Sequence, residues 1–108
     1  MSSELDWIQA WYRTRCDGVW EHSYGIKIDT LDNPGWSVGI DLKGTALEHT
    51  SMETVFRDDG PDNWIRLEVK EGRFIGHGDP SKLRAILASF REWALRAAGE
   101  QPLIDTAR

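Results

Sequence analysis

Leu5, Ile8, Tyr12 and Cys16 fall on one face at helical spacing, with Trp11 beside them and Trp7 further round. This predicts a first helix from about Ser3 to about Cys16, capped by the Ser3 hydroxyl, with Glu4 and Asp6 in its positive first turn. Asp17-Gly18 ends it. From Trp20 the period changes to two. His22, Tyr24, Ile26, Ile28 and Thr30 alternate against Ser23, Gly25, Lys27 and Asp29, as in a strand with one face on a core. Leu31-Asp32-Asn33-Pro34-Gly35 then predicts a type II turn, Pro34 and Gly35 occupying its two central positions. Trp36, Val38, Ile40 and Leu42 alternate with Ser37, Gly39, Asp41 and Lys43 in a second strand, so the two form a hairpin.

Gly44 interrupts the pattern, and Thr45 to Met52 shows no clear period. Glu53 to Arg57 reads as a short third strand, followed by the dense turn signal Asp58-Asp59-Gly60-Pro61-Asp62-Asn63. A fourth strand, Trp64 to Lys70, sets Ile65, Leu67 and Val69 against Trp64, Arg66, Glu68 and Lys70. Glu71-Gly72 turns the chain into a fifth strand, Arg73 to His77. Asp79 as N-cap, Pro80 at the first helical position and Gly99 at the stop delimit a last helix. Its stripe is Leu83, Ile86, Leu87, Phe90, Trp93, Ala94 and Ala97.

The expected architecture is α+β: a five-stranded antiparallel sheet, read as a meander, with the N-terminal and C-terminal helices packed on one face. Residues 1–99 are expected to form a single domain, which suits a chain of 108 residues, and 100–108 a flexible tail without pattern. No apolar run approaches a membrane span, and the start MSSELDW has no secretory character, so the expected location is the cytoplasm. One cysteine, Cys16, cannot form an internal disulfide and suits the same compartment.

Charge narrows the partners. With 13 basic and 18 acidic residues the net charge is −5, which disfavours nucleic acid and favours a basic protein. Six tryptophans exceed what a modest core requires, so some are expected at an interface.

Catalytic signatures are weak. Cys16 lies near a helix C-terminus, whose dipole disfavours a thiolate, and on the apolar face. Glu21 and His22, with Asp29 and Asp32, invite an acid/base reading, but in a strand Glu21 and His22 point to opposite faces. His22, His49 and His77 match no metal-ligand spacing, so no metal and no cofactor are expected. Gly76-His77-Gly78-Asp79-Pro80 lacks the phosphate-loop lysine and puts a carboxylate where an anion would sit.

What remains is surface. Away from the helices the alternation sets Lys27, Asp29, Ser37, Gly39, Asp41, Lys43, Trp64, Arg66 and Glu68, a charged field with one large aromatic beside an arginine. Trp7, off the first helix's core stripe, is a second candidate anchor.

Cys16-Asp17-Gly18, Trp20-Glu21-His22, Tyr24-Gly25-Ile26 and above all Thr30-Leu31-Asp32-Asn33-Pro34-Gly35-Trp36 resemble the immunity protein 53 family, small bacterial proteins of polymorphic toxin systems. The likeness continues through the late Gly-rich turn to Phe90 and Trp93. It implies a protein that binds and neutralises a cognate toxin, with no enzymatic activity of its own. The partner expected is a basic toxin domain such as a nuclease. The chain itself is expected as a monomer or weak homodimer, with no nucleic acid or membrane bound. The expected contact residues are Asp29, Asp41, Trp64, Arg66 and Glu68, with Glu21 and Asp32 near the hairpin ends. The competing expectation is a small-ligand protein or enzyme working through the His22 region.

Overall fold

A computed structural model describes residues 3–106. Helix α1 spans Glu4–Arg15, and the Asp6 N–H donates to the Ser3 hydroxyl oxygen at 3.2 Å, the expected N-cap. Its buried face is rotated from the one expected. Ile8 is buried and Trp7 and Trp11 pack against the core, while Leu5 and Tyr12 lie exposed. Two indoles cover more apolar area than a leucine and a tyrosine, and that larger burial decides which way the helix rolls. Trp7 is therefore no surface anchor: its ring meets Phe90 edge-on at 5.9 Å.

The stretch from Trp20 departs from its period of two. Trp20–Ser23 is a single helical turn, α2, and the first strand begins only at Ile26. The cause is local hydrogen bonding. Asp17 Oδ1 accepts the N–H groups of Val19 and Trp20, both at 2.9 Å, and the two Glu21 carboxylate oxygens accept those of Asp17 and Gly18. This reciprocal cap satisfies the donors that a helix start leaves open. It also turns the Trp20 indole inward, where Nε1–H donates to the Lys43 carbonyl at 2.8 Å.

Five antiparallel strands follow: β1 Ile26–Leu31, β2 Gly35–Asp41, β3 Val55–Asp58, β4 Trp64–Lys70 and β5 Arg73–Gly78. They stand in the order β1-β2-β5-β4-β3 rather than in chain order. The β1-β2 hairpin thus joins a β3-β4-β5 meander through a β2-β5 pairing, with Trp36 opposite Gly78 and Ile40 opposite Phe74. The segment between β2 and β3 crosses to the far edge, held on the way by buried Leu47 and by the Trp93 Nε1–H donating to the Ser51 carbonyl. The β1-β2 turn also differs from the type II expectation. The Asn33-Pro34 peptide is cis, and Gly35 is the first residue of β2, paired with Leu31. Gly35 is required for closeness: a Cβ there would run into the Gly78 carbonyl oxygen.

Helix α3, Leu83–Thr106, lies over β5. It can settle close because position 76 carries no side chain, and a Cβ there would stand 2.5 Å from Ile86 Cγ2. Phe90 is the centre of the core, with ring centroids 5.1 Å from Phe74, 5.2 Å from Trp11 and 6.0 Å from Trp93. Val38, Ile40, Phe74, Ile86 and Phe90 are wholly buried, all on the helix side of the sheet or on α3. The helix begins four residues later than Asp79 and runs through Gly99, where a stop is expected. Of the tail expected at 100–108, the last two residues lie outside the described residues.

Asp79 does cap, but it caps a turn. It is 1% exposed, and Oδ1 accepts the Ser81 N–H at 2.8 Å and the Ser81 hydroxyl at 2.6 Å. Oδ2 accepts the Trp64 N–H at 2.8 Å and the Lys82 ammonium at 2.7 Å. Burial pushes this carboxyl up, and the donors of Lys82, Ser81 and Trp64 more than reverse that, holding it well below the ordinary carboxylate range. One buried carboxylate thus ties β4 to the entrance of α3. The Trp36 indole adds a tie from β2, donating to the Pro80 carbonyl at 2.9 Å.

Candidate functional site

Helices α1 and α3 both contribute to the core on one side of the sheet, and among the described residues neither covers the other side. The strand registers decide what stands on it. One row runs Asp29, Ser37, His77, Arg66, Phe56 across all five strands, and the next runs Lys27, Gly39, Ile75, Glu68. Trp64 and Asp58 form a pair at one end, and Asp41, Arg73 and Lys70 align at the other. Asp29, Asp41, Trp64, Arg66 and Glu68, the five residues expected to share a face, therefore all stand on this outer face, with Trp64 at one end of it and Asp41 at the other.

Its chemistry is paired and mixed. The Arg66 guanidinium lies 3.6 Å from the Glu68 carboxylate and 5.7 Å from the Phe56 ring centroid. Phe56 remains 58% exposed even with the cation over its ring, so the pair stands open to a partner. Arg73 Nε–H donates to Asp41 Oδ1 at 3.1 Å, while Asp41 Oδ2 accepts the Gly25 N–H at 2.9 Å. Asp41 therefore also fastens the start of the hairpin. Asp29 Oδ1 accepts the Thr30 N–H at 2.9 Å.

The two ends differ in sign. Around Trp64 a shallow depression of about 430 Å³ is lined by Asn33, Asp58, Gly60 and Pro61. Asp32 adjoins it in the hairpin turn, and Asp59 and Asp62 lie in the same loop as Pro61. At the opposite end a depression of about 310 Å³ gathers Lys43, Lys70 and Arg73 with Asp41 and Glu71. The face is thus acidic at the Trp64 end and mainly basic at the other.

Glu21 stands at the margin of this face, near the start of the hairpin, where it lines a depression with Lys27, Gly39, Asp41 and Arg73. It sits in α2 with both oxygens committed to the cap, where backbone N–H donors, its own first and then those of Asp17 and Gly18, hold it below its ordinary value against the desolvation that raises it. His22 is exposed and lines a depression of about 420 Å³ with Glu21, Tyr24, Lys27, Asp41 and Arg73. The carboxylates there do not converge on the imidazole, since Glu21 serves Asp17 and Gly18, and Asp41 serves Gly25 and Arg73. Among the described residues no group of three or more His, Cys, Asp or Glu is placed to hold a metal ion. Cys16 is half-buried at the end of α1, its thiol 3.3 Å from the Tyr12 carbonyl oxygen.

Phe56, Arg73 and His77 belong to the face although the sequence pattern did not single them out. Phe56 had a usable signal: closing the Asp59–Asn63 turn between Asp58 and Trp64 puts it opposite Arg66. His77 had none, because its neighbour Ser37 comes from a strand forty residues earlier in the chain.

Fold and face define a small α+β domain, one side of its sheet sealed by two aromatic-rich helices and the other left as an open platform of mixed charge. The family model described as Immunity protein 53 matches residues 5–95, and the chain belongs to that family. It is accordingly an immunity protein. Comparison with curated proteins and with solved structures gives no match. Among the described residues no helix is long and apolar enough to cross a membrane.

Proposed function

We propose that this immunity protein neutralises its toxin by seating it on the outer face of the sheet, as a stoichiometric plug with no reaction of its own. The observation that carries the reading is the five-strand row through Asp29, Ser37, His77, Arg66 and Phe56, which among the described residues no helix covers. Phe56 under Arg66 is an aromatic and cation pair of the kind that anchors interfaces, and Trp64 offers a second anchor inside an acidic rim. A rigid scaffold suits occlusion, because little ordering is then lost on binding. The acidic end and the net charge of −5 favour a basic toxin, such as one acting on nucleic acid, whose approach they would steer.

The test is the double variant Phe56→Ser, Arg66→Glu, assayed against the cognate toxin. Affinity is expected to fall by at least about 100-fold, as loss of two anchors implies, with protection of cells lost and the melting midpoint held. Unchanged affinity in a folded variant would remove the outer face from the mechanism. Association should also slow steeply between about 0.05 and 0.5 M salt if the acidic rim steers the partner.

A further inference from the structure

We propose that β1 is a self-association edge: two copies join antiparallel through their β1 strands about a two-fold axis at Ile28, making one ten-stranded sheet. The inference does not rest on where the toxin binds. Among the described residues β1 is an end strand, and nothing pairs with its outer edge.

The direction of its backbone groups follows from one hydrogen bond. The Asp41 N–H donates to the Gly25 carbonyl at 3.1 Å while the Gly25 N–H donates to the Asp41 carboxylate, so the backbones of Gly25 and Asp41 face each other at a hydrogen-bonded position of the ladder. Bonded pairs recur every second residue in an antiparallel ladder, so Lys27, Asp29 and Leu31 also turn their N–H and C=O groups toward β2. Ile26, Ile28 and Thr30 turn theirs outward. Thr30 supports this independently, because its N–H is met by the Asp29 carboxylate rather than by β2.

Laid against its own copy, this edge is complementary at every position. Centring the pairing on Ile28 makes Ile28 a bonded pair with its counterpart and Ile26 a bonded pair with Thr30 of the second copy. All the outward N–H and C=O groups of the three residues are then matched. Between them Lys27 falls directly opposite Asp29 of the second copy, twice, in the closer non-bonded spacing where side chains interact most strongly. Both residues lie on the outer face, so the contacts are made there. On the helix side Ile28, a β-branched apolar residue left 45% exposed, meets its twin. Pairing also gives the Thr30 N–H a carbonyl partner and releases the Asp29 carboxylate to face the lysine.

The other end strand lacks this property. Pairing β3 with its copy about Phe56 sets Arg57 against Val55, and pairing about Asp58 sets two carboxylates opposite each other. A six-residue strand is a small contact, so the association belongs to the weak, concentration-dependent class.

Sedimentation equilibrium of the chain alone, from about 1 μM to about 1 mM, decides the matter. The weight-average mass is expected to rise from 12.3 kDa toward twice that. Lys27→Asp and Asp29→Lys should each weaken the dimer by at least about 10-fold, and the double exchange should restore it, because only the double again sets opposite charges face to face. Ile28→Pro removes an outward N–H that the β1-β2 ladder does not use, so the circular dichroism should stay folded while the dimer is lost. A chain that stays at monomer mass throughout would overturn the proposal. So would a dimer indifferent to Lys27→Asp, or a double exchange no better than the single ones.

Discussion

The two faces of this sheet come from the same strands, one residue out of phase, and differ in what they do for the fold. On the helix side Val38, Ile40 and Phe74 are wholly buried against Phe90 and its neighbouring rings. On the outer side the groups remain partly in water, as the 44% exposure of the Arg66 side chain and the 53% of Arg73 show. Burial stabilises by about 1.5 to 3 kcal/mol for each large apolar side chain, whereas an exposed ion pair contributes about 0 to 1. Stability therefore resides on one face, which leaves the other free to be specified by a partner. Two residues bridge the division: Asp41, which is on the outer face but fastens the hairpin, and Asp79, which is buried but made of charge.

The sharpest way to break this comparison is to truncate one aromatic on each side. Phe74→Ala should cost about 3 to 5 kcal/mol in denaturant unfolding, because the Phe90 and Trp93 rings around it cannot collapse into the space. Phe56→Ala should lie within about 0.5 kcal/mol of wild type. Comparable losses at the two positions would mean the outer face is part of the core. Glycines give the same contrast in reverse. Gly76→Val forces atoms into Ile86 and should cost about 1 to 3 kcal/mol, whereas Gly39→Ala, whose new Cβ would meet only Arg73 Cδ at 3.7 Å, should change stability little.

Acid should act through the buried carboxylate. The Asp79 pKa is depressed in the folded protein, so its contribution is fully present above the ordinary carboxylate pKa of about 4 and is lost as pH falls below that. Asp17 and Glu21, also lowered by backbone donors, act in the same direction. Thermal melts should be flat from about pH 7 to 5 and decline below about pH 4. Asp79→Asn should melt lower at neutral pH, since Lys82 loses its counter-charge, and decline less steeply in acid. An unchanged acid slope would show that Asp79 does not link folding to protons.

The outer face was legible in the sequence wherever a strand alternates without local competition. Ile26 to Thr30, Trp36 to Leu42 and Trp64 to Lys70 do so, and from them Asp29, Asp41, Trp64, Arg66 and Glu68 could be set on one side. The last helix was legible from Leu83 to Ala97 because its stripe is broad and apolar. What stayed hidden was decided by hydrogen bonds or by distance along the chain. Trp20 to Tyr24 alternates like a strand, yet the Asp17 and Glu21 cap makes a helical turn of it. Asp79 and Pro80 imitate a helix start, but the carboxylate also reaches Trp64, which no local pattern announces. The β2-β5 pairing brings His77 and Ser37 together and depends on contacts that only the closed fold creates.

The smallest effect tests the division most finely. Arg66 and Glu68 form an ion pair 3.6 Å apart on the outer face, and Lys82 and Asp79 form one 2.7 Å apart beneath the entrance to α3. The buried pair is hydrogen-bonded and the outer pair is not, and their surroundings differ as well. The Lys82 and Asp79 side chains are 19% and 1% exposed, against 44% and 21% for Arg66 and Glu68. Water competes for the outer pair, and two long side chains must be ordered to make it. A double-mutant cycle on Arg66→Ala and Glu68→Ala should therefore return a coupling of about 0.2 to 1 kcal/mol in unfolding, shrinking further at high salt. The cycle on Lys82→Ala and Asp79→Ala should return a larger value that salt leaves nearly intact, because removing one partner strands a charge without water. A coupling at Arg66 and Glu68 that equals the buried one would mean these charges are held for the fold. Their rearrangement would then oppose binding, and the outer face would lose its claim to be the protein's working surface.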